Sequence, residues 1–363
     1  MISYFFPFIL LSLFHFVEFF RNNKNLKFIM LIIASLILIL FAGLREVGVG
    51  TDDFNYYNIF NDIPSLTEIF FENTQFHFDD YHKEYGYIFI NIFIKNFTTN
   101  YTVLFILIAF IAVGLNTYNY KKYSSFIFLS LLLYFVHTYL YRDLNQIRAG
   151  VATAIGLFTI TQIHKKEHLK FFFTLFIASL FHIAVLSLML PYIISFFKID
   201  RNRGILIFII GVFFGVIGIS SIIINFLPSE LGSAAQSLNN YAQSQTNSRD
   251  LGMFNITNIK SLFIFILLLI FYTKLENKVK YFNILFLFYA LAVSWRFAFS
   301  DFAILSGRIA TFFEIVEVIL IPSFLLILRQ KILGSFLIIL YAFLILYLNV
   351  YTTGRQPYEM SIF

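Results

Sequence analysis

A succession of long apolar segments constrains the fold of this chain more than any other feature of the sequence. The hydrocarbon core of a bilayer is about 30 Å thick, and a helix of roughly 20 apolar residues crosses it. Of the 363 residues, 59% are hydrophobic and only 13% are charged, and no soluble domain hides that much apolar surface. The sequence therefore predicts an all-α polytopic membrane protein, with residues 1–363 forming one transmembrane domain. The candidate spans are 2–20, 28–44, 101–118, 125–141, 147–163, 204–226, 257–273, 281–298, 304–327 and 332–351.

Two further apolar stretches do not fit a simple span. Residues 85–97 are too short for one and contain Lys95, which favours a re-entrant or interfacial helix. Residues 169–197 are too long for one span and too short for two, and His182 lies near their middle. We therefore predict two half-length helices that meet at a turn at membrane depth. With both stretches considered, we expect about ten to thirteen transmembrane helices.

The basic residues predict the orientation of the chain in the membrane. Six short loops carry most of the 26 Lys and Arg residues, and the positive-inside rule assigns such loops to the cytoplasm. All six lie on one side only if 85–97 does not cross the bilayer and 169–197 enters and returns. The six loops contain Arg21, Lys24 and Lys27; Lys121 and Lys122; Lys165, Lys166 and Lys170; Lys198, Arg201 and Arg203; Lys274, Lys278 and Lys280; and Arg329 and Lys331.

The opposite, outer side then receives two long loops, 45–100 and 227–256, and most of the acidic residues. Long loops over a membrane domain commonly form lids or binding surfaces. The stretch 229–250 is rich in Ser, Asn, Gln and Ala. This stretch could contact sugars, or it could simply be a solvated loop, and the sequence favours neither alternative.

Composition excludes several other classes of protein and site. Cysteine is absent, which rules out disulfides, thiolate chemistry and Cys-based metal sites. No His spacing typical of zinc occurs, and adjacent carboxylates such as Asp52–Asp53 or Asp79–Asp80 are weak indications of a metal. We therefore predict no metal and no cofactor. The net charge of +6 fits basic cytoplasmic loops, and without a basic tract we predict no nucleic-acid partner.

The polar stretch 43–57 follows the second apolar segment directly, at the point where that segment leaves the membrane. It holds three glycines, Arg45, Asp52, Asp53 and several side chains that form hydrogen bonds. Charged residues are costly near hydrocarbon, so a cluster at one membrane edge indicates a site facing water. Such groups on a backbone loosened by glycine suit an anionic or sugar-bearing ligand.

Arg45, Arg148 and Arg308 each lie at or just inside the outward end of a predicted span. Three converging guanidinium groups would match a diphosphate, because their paired donors fit phosphate oxygens. The alternative is snorkelling to the interface or pairing with acidic residues there. We favour ligand binding for all three, while Arg142 and Arg296 fit either interpretation equally well.

Several acidic or imidazole groups are further candidates. His182 lies at the proposed helix break, where irregular backbone normally lines a cavity; a buried core histidine is the alternative. Asp52 and Asp53 could act as a general base or bind a sugar hydroxyl, or instead cap the next helix. Glu84 opens the segment 85–97 and could likewise act only as a cap. Glu314 and Glu317 lie one turn apart in an apolar segment, which predicts a buried polar network.

In order along the chain, these segments resemble the motifs of the EpsG family of polysaccharide polymerases, which are related in role to the Wzy O-antigen polymerases. The family's Gly-Leu-Arg, Val-Gly-Thr-Asp and Asn-Tyr are similar to 43–45, 49–52 and 55–56. Its Glu-x-Gly-Tyr and Asn-Gln-x-Arg-x-Gly are similar to 84–87 and 145–150. Its Ala-x-x-Phe-His resembles 178–182, and its late Arg-x-x-x-Phe/Tyr-Phe resembles 308–313.

The resemblance implies a helical bundle of the GT-C type in the bacterial inner or plasma membrane. It implies an enzyme that joins oligosaccharide repeat units carried on undecaprenyl diphosphate at the outer leaflet, with its site facing the periplasm or exterior. We predict Asp52, His182 and Arg45 as catalytic residues. The residues predicted to bind substrate are Arg148, Arg308, Glu84, Thr51, Asn55, Tyr56 and Gln146.

The expected partners are the lipid-linked oligosaccharides, the bilayer, and a chain-length regulator and flippase of the same pathway. A flippase for the same lipid-linked oligosaccharide is the rival interpretation, since it would bind diphosphate with the same arginines. The polar cluster on one side, the long outer loop and the lack of repeated halves favour the polymerase. A membrane O-acyltransferase is a third, weaker alternative.

Overall fold

The computed structural model describes residues 1–19, 23–72, 76–77, 84–226 and 250–361, and over these ranges the chain folds into helices. The extended pairing in this part of the chain is an isolated antiparallel bridge between Arg45 and Met360. The predicted all-α class is therefore confirmed. Asp79, Asp80 and residues 229–249 of the polar loop lie outside the described residues.

Nineteen α-helices of the described residues can be numbered in chain order, and shorter 3-10 turns and one π-helix accompany them. The π-helix Phe135–Tyr139 continues the seventh helix directly. The α-helices are α1 Phe5–His15, α2 Lys24–Gly43, α3 Asp53–Asp62, α4 Leu66–Phe71, α5 Tyr85–Lys95, α6 Tyr101–Tyr123, α7 Ile127–Tyr134, α8 Ile147–Gly156, α9 Thr159–Lys165, α10 His168–Ser179, α11 Met189–Ile194, α12 Arg201–Val216, α13 Ile219–Phe226, α14 Ile256–Ile270, α15 Tyr272–Glu276, α16 Phe282–Ala298, α17 Ala303–Glu314, α18 Glu317–Ser323 and α19 Lys331–Tyr351.

Four of the described helical stretches are long and apolar enough to cross a membrane. They are Ile2–Phe19, Lys24–Gly43, Tyr101–Tyr123 and Lys331–Tyr351, and each coincides with a predicted span. A fifth arises if the bent pair Ala303–Glu314 and Glu317–Leu326 counts as one span. Shorter apolar helices of 10–17 residues occupy several other predicted spans. The chain is thus a multi-pass membrane protein, and the figure of ten to thirteen spans stays a prediction.

Besides the bent pair over 303–326, two further predicted single spans are divided into two helices each. Residues 147–163 form α8 and α9, and residues 204–226 form α12 and α13. Between α12 and α13, Gly218 has a φ of +65°, a left-handed conformation that glycine adopts readily and that ends a helix. Uninterrupted hydrophobicity does not reveal such breaks, because it does not depend on backbone conformation.

Both irregular stretches have the predicted half-length form. Helix α5 has 11 residues and, at 1.5 Å per residue, is about half as long as the hydrocarbon core is thick. The stretch 169–197 divides into α10 and α11, with a break at 180–182 followed by a 3-10 turn over Ile183–Leu188. His182 lies in this break, as predicted.

The chain divides into two compact units. The first comprises Met1–Thr159, His168–Val185 and Val318–Phe363, and the second comprises Ile160–Glu167 and Leu186–Glu317. In the first unit α6 packs against α2 and α8, α8 also packs against α10, and α7 packs against α1 and α19. In the second unit α16 packs against α12, α14 and α17. The single transmembrane domain stays a prediction.

Candidate active site

Arg45, the arginine of the most specific sequence motif, is fully buried in the first unit. Its Nη2 donates to Asp53 Oδ1 at 2.8 Å, and its Nε lies 3.2 Å from both oxygens of that carboxylate. Its Nη1 donates to the carbonyl oxygen of Ala42, and its Cζ lies 4.1 Å from the centre of the Phe105 ring. The guanidinium of Arg45 is therefore enclosed by these protein groups.

Asp53 also organises the loop that follows α2. Its Oδ2 accepts a 2.6 Å hydrogen bond from the backbone N–H of Gly50. A Cβ at position 50 would lie 2.2 Å from the carbonyl oxygen of Leu144 and 2.8 Å from Asp53 Oδ1. Glycine is required here because the backbone passes so close to both groups. The motif thus builds a closed turn held by the buried Arg45–Asp53 ion pair.

The ion pair of Arg45 is formed with Asp53, the neighbour of the catalytic candidate Asp52. Asp53 is the buried carboxylate of the two, whereas Asp52 is half-buried at the N-cap of α3. The Asp52 side chain makes no capping hydrogen bond there, so the alternative of a simple helix cap is not supported. The catalytic role of Arg45 stays a prediction, but its burial gives it a structural role in this conformation.

Asn145 links this loop to α8. Its Oδ1 accepts from the Thr51 hydroxyl at 2.8 Å and from the Asp52 N–H at 3.1 Å. Gln146 beside it accepts from Arg142 Nη1 at 2.9 Å. Two motifs that are almost a hundred residues apart in the sequence are therefore in direct contact.

Glu84, Arg148 and His182 form a second cluster in the first unit. Glu84 Oε2 accepts from Arg148 Nη1, and Glu84 Oε1 lies 3.2 Å from His182 Nδ1. The side chains of Arg148, Glu84 and His182 are 20%, 18% and 21% exposed, so water reaches all three. Three predicted site residues from distant segments thus come together.

Backbone contacts fix the cluster. The N–H of Gly86, in the first turn of α5, donates a 2.8 Å hydrogen bond to the carbonyl oxygen of Leu180. The first turn of a helix leaves its N–H groups without partners, and a helix break frees carbonyl oxygens. The N–H group at the start of α5 and the carbonyl oxygen at the break after α10 therefore satisfy each other. This contact brings Glu84 beside His182.

Aromatic rings lie beside the Arg148 guanidinium. Its Cζ is 5.9 Å from the ring centres of both Tyr56 and Tyr87, a distance at which a cation is attracted to a ring face. Tyr56 is only 2% exposed, so its ring supports Arg148, and its role in substrate binding stays a prediction. Asn55, by contrast, is exposed. The buried Nε of Arg148 has no hydrogen-bond partner among the described residues.

The charge state of Glu84 follows from its neighbours. Burial by itself raises the pKa of Glu84, but the neighbouring His182 imidazole and the positive charge of Arg148 outweigh burial and hold that pKa below its ordinary value. Glu84 is therefore an ionised hydrogen-bond acceptor at neutral pH. It is the N-cap residue of α5 without a capping hydrogen bond from its side chain, so a simple cap does not explain it.

The second unit contains a separate network of charged residues. Glu314 accepts from Arg296 Nε at 3.0 Å and from Ser261 Oγ at 3.0 Å, and Glu317 accepts from Lys260 Nζ at 2.9 Å. The polar network predicted for Glu314 and Glu317 is therefore present. Lys260 also contacts Glu314, at 3.3 Å, so two acids and two bases balance each other.

Arg308 lies in α17 of the second unit and is half-buried. The convergence of Arg45, Arg148 and Arg308 on one cavity accordingly stays a prediction, and the burial of Arg45 against Asp53 makes it the least accessible of the three.

Comparison with known proteins identifies the family. The model of the EpsG family matches residues 28–362, which is most of the chain. The chain belongs to the EpsG family. It is also similar to the amylovoran biosynthesis protein AmsC of Erwinia amylovora, with 29% identity over 306 residues that cover 83% of this chain and 80% of that protein. No solved structure matches the chain significantly.

Asn145, Asp53 and Lys260 were missed as contact residues by the sequence reasoning. Asn145 belongs to one of the motifs, and Asp53 is one of two adjacent candidate carboxylates, but the register that decides which carboxylate faces Arg45 depends on the turn at Gly50. Lys260 had a detectable signal, since it is a lone charge within the predicted span 257–273 and such charges are costly unless paired.

Proposed function

We propose that this member of the EpsG family is a polysaccharide polymerase that joins lipid-linked oligosaccharide repeat units. Membership of the family supports a role in polysaccharide synthesis. The observation that carries the finer proposal is the partly exposed cluster of Glu84, Arg148 and His182. It combines a phosphate-binding group with an imidazole oriented by a carboxylate, and glycosyl transfer from a lipid diphosphate calls for both.

The reaction is a substitution at the anomeric carbon of the growing chain. A hydroxyl oxygen of the next lipid-linked unit forms a bond to that carbon, and the bond between the carbon and the diphosphate oxygen breaks. Undecaprenyl diphosphate leaves with the electron pair, and the hydroxyl proton passes to a base on the protein. No nucleotide takes part, because the lipid diphosphate is itself the leaving group.

Arg148 is proposed to bind the diphosphate. Its planar guanidinium offers paired N–H donors that match phosphate oxygens, and its Nε is not engaged by a described residue. Negative charge grows on the diphosphate as the glycosidic bond breaks, so a fixed cation there stabilises the transition state more than the ground state. Arg308 is proposed as a further substrate-binding residue.

His182 is proposed to accept the hydroxyl proton. Glu84 Oε1 beside Nδ1 favours the tautomer in which Nδ1 carries the proton, which leaves the lone pair on Nε2 free to act as a base. Asp52 is proposed to orient the acceptor from the neighbouring loop. Thr51, Asn55 and Gln146 are proposed as further polar contacts to the substrate.

The active site is proposed to face the periplasm or exterior of a bacterial inner or plasma membrane. Labelling introduced cysteines with a membrane-impermeant maleimide tests this orientation directly, because the natural chain has none. Asp62→Cys should react in intact cells, and Lys121→Cys should react only after the cells are opened. Reaction of position 121 in intact cells, or protection of position 62, contradicts the orientation.

The proposed activity is tested by reconstitution. The purified chain in lipid nanodiscs, supplied with the undecaprenyl-diphosphate-linked repeat unit, should give a ladder of products that differ by one unit. A flippase would leave the oligosaccharide at its original length, so a single band at the length of one unit speaks against the polymerase. His182→Ala and Arg148→Ala, at equal protein amounts, serve as controls for a contaminating activity.

A further inference from the structure

A cavity of about 450 Å³ lies in the first unit, between the loop 46–51 and the C-terminal residues 356–359. Small-molecule sites commonly have volumes of roughly 300–1,000 Å³, so a ligand fits. The polar side chains that line it include those of Thr51 and Gln356, and the ring of Phe54 forms part of the wall. Of the residues given a role above, Thr51 lines this cavity.

Both walls of the cavity are fixed by contacts within the first unit. On the loop side, Asp53 holds the backbone N–H of Gly50. On the C-terminal side, Glu46 N–H donates to the carbonyl oxygen of Glu359 at 3.0 Å, and the ring of Tyr358 stacks on Phe41 at 4.0 Å. Because the walls are already ordered, a ligand would bind without a large loss of conformational entropy.

The charge of the cavity differs from that of the Arg148 cluster. Its charged lining side chains are the carboxylates of Glu46 and Glu359, and its ten lining residues include no lysine or arginine. Such a lining repels a diphosphate. Carboxylate and amide oxygens accept hydrogen bonds from hydroxyl and amide groups, and the exposed Phe54 ring offers an apolar surface. These groups match a neutral or amino sugar.

We infer that this cavity binds the saccharide portion of the lipid-linked unit as a neutral or amino sugar; the inference rests on the proposed function. Thr51 connects the two sites, since it lines the cavity and its hydroxyl donates to Asn145, three residues before Arg148. Sugar and diphosphate are then recognised by two neighbouring elements of opposite charge. The C-terminal residues become part of the binding site, not only an anchor for the fold.

Protection of an introduced cysteine tests the inference. The reporter is Pro357→Cys, an exposed position in the cavity wall, and the matched control is Thr353→Cys, an exposed position four residues earlier that is not among the lining residues. The probe is the oligosaccharide released by mild acid from the lipid-linked fraction of producing cells that lack this chain. Maleimide labelling of the full chain in nanodiscs is timed with and without it.

We expect the oligosaccharide to slow labelling of position 357 at least severalfold, with no effect at position 353. Inorganic diphosphate at the same concentration should protect neither position. Glu46→Gln combined with Glu359→Gln in the reporter chain should raise the oligosaccharide concentration needed for protection roughly tenfold or more, because hydrogen bonds to charged acceptors are lost. Val47→Cys, also in the wall, replaces the reporter if Pro357→Cys does not accumulate.

Unprotected labelling at position 357, equal protection at position 353, or protection by diphosphate overturns the inference. Undiminished protection of position 357 in the Glu46→Gln, Glu359→Gln chain also overturns the inference. The reconstituted ladder separates this failure from failure of the proposed function. A chain that makes the ladder without protection at position 357 retains the function and loses the sugar site, and a protected chain without a ladder shows the reverse.

Discussion

Arg45 and Arg148 each belong to a sequence motif and each contact a carboxylate, yet water reaches them to very different degrees. The side chains of Arg45 and Asp53 are 1% and 0% exposed, whereas those of Arg148 and Glu84 are 20% and 18% exposed. Arg45 is enclosed by Asp53, Ala42 and Phe105. Arg148 lies in a cluster that His182 joins through Glu84.

The difference shows that a motif arginine can serve the fold or the ligand, and that burial distinguishes the two. A buried pair whose hydrogen bonds are satisfied has little left to offer a substrate. A partly exposed pair can give up some of its hydrogen bonds and form hydrogen bonds with a ligand in their place. The predictions below test this contrast, because disrupting the first pair should remove folded protein and disrupting the second should remove activity.

The largest expected effect is on stability, from breaking the Arg45–Asp53 pair. Asp53→Ala leaves a buried guanidinium without its counter-charge, at a cost of about 3–5 kcal/mol. The melting temperature of the detergent-solubilised protein, measured by size-exclusion chromatography with fluorescence detection, should fall sharply. The double variant Arg45→Met with Asp53→Ala should recover part of this loss, because no unpaired charge remains. The single variants Glu84→Ala and Arg148→Ala serve as the comparison. Each should lower the melting temperature less than Asp53→Ala does.

A single Asp53→Ala variant that melts like the natural protein would contradict the structural role of the buried pair. A double variant less stable than either single variant would also contradict it, since the loss would then come from packing and not from charge.

The next effect is on activity, from His182→Ala. A general base commonly contributes about 10²–10⁴-fold to a rate, and the good leaving group favours the lower end, so ladder formation should slow roughly a hundredfold. The protein amount in membranes should be unchanged. Asp52→Asn should cause a smaller loss, because Asp52 is proposed to orient the acceptor. A larger loss of rate from Asp52→Asn than from His182→Ala would exchange the two roles. Ladder formation at the natural rate in both variants would remove both residues from the mechanism.

Arg148→Lys should reduce ladder formation on the order of tenfold to a hundredfold, near the cost of removing one donor at a developing charge. Lysine keeps the charge but loses the paired N–H donors. The control is Arg329→Lys, an exposed arginine in a predicted cytoplasmic loop, which should leave the rate unchanged. Natural activity of Arg148→Lys would mean that charge alone suffices and that no bidentate contact exists.

The sequence was sufficient to predict the helical class, the long spans and the break at His182, because each depends on hydrophobicity and length. It also selected Glu84, Arg148 and His182, which the structure brings together, while their roles at a site stay predictions. It did not predict that Arg45 selects Asp53 over Asp52, since the two carboxylates are adjacent and a turn of one residue decides which faces inward. Hydrophobicity also missed the division of 204–226, where the conformation of Gly218 ends the helix.

The smallest expected effect, and the one that links the two regions, comes from Asn145. Its Oδ1 accepts from Thr51 and Asp52, which follow the turn held by Arg45 and Asp53, and it lies three residues before Arg148. Asn145→Ala removes two hydrogen bonds, each worth about 1 kcal/mol, and should lower the melting temperature only slightly. If Asn145 positions the loop against α8, the substrate concentration at half-maximal rate should rise severalfold while the maximal rate changes less. Asn145→Asp, which keeps the acceptor oxygen, should restore most of the loss. An unchanged concentration dependence, or equal losses in both variants, would mean that the buried pair and the partly exposed cluster act independently of each other.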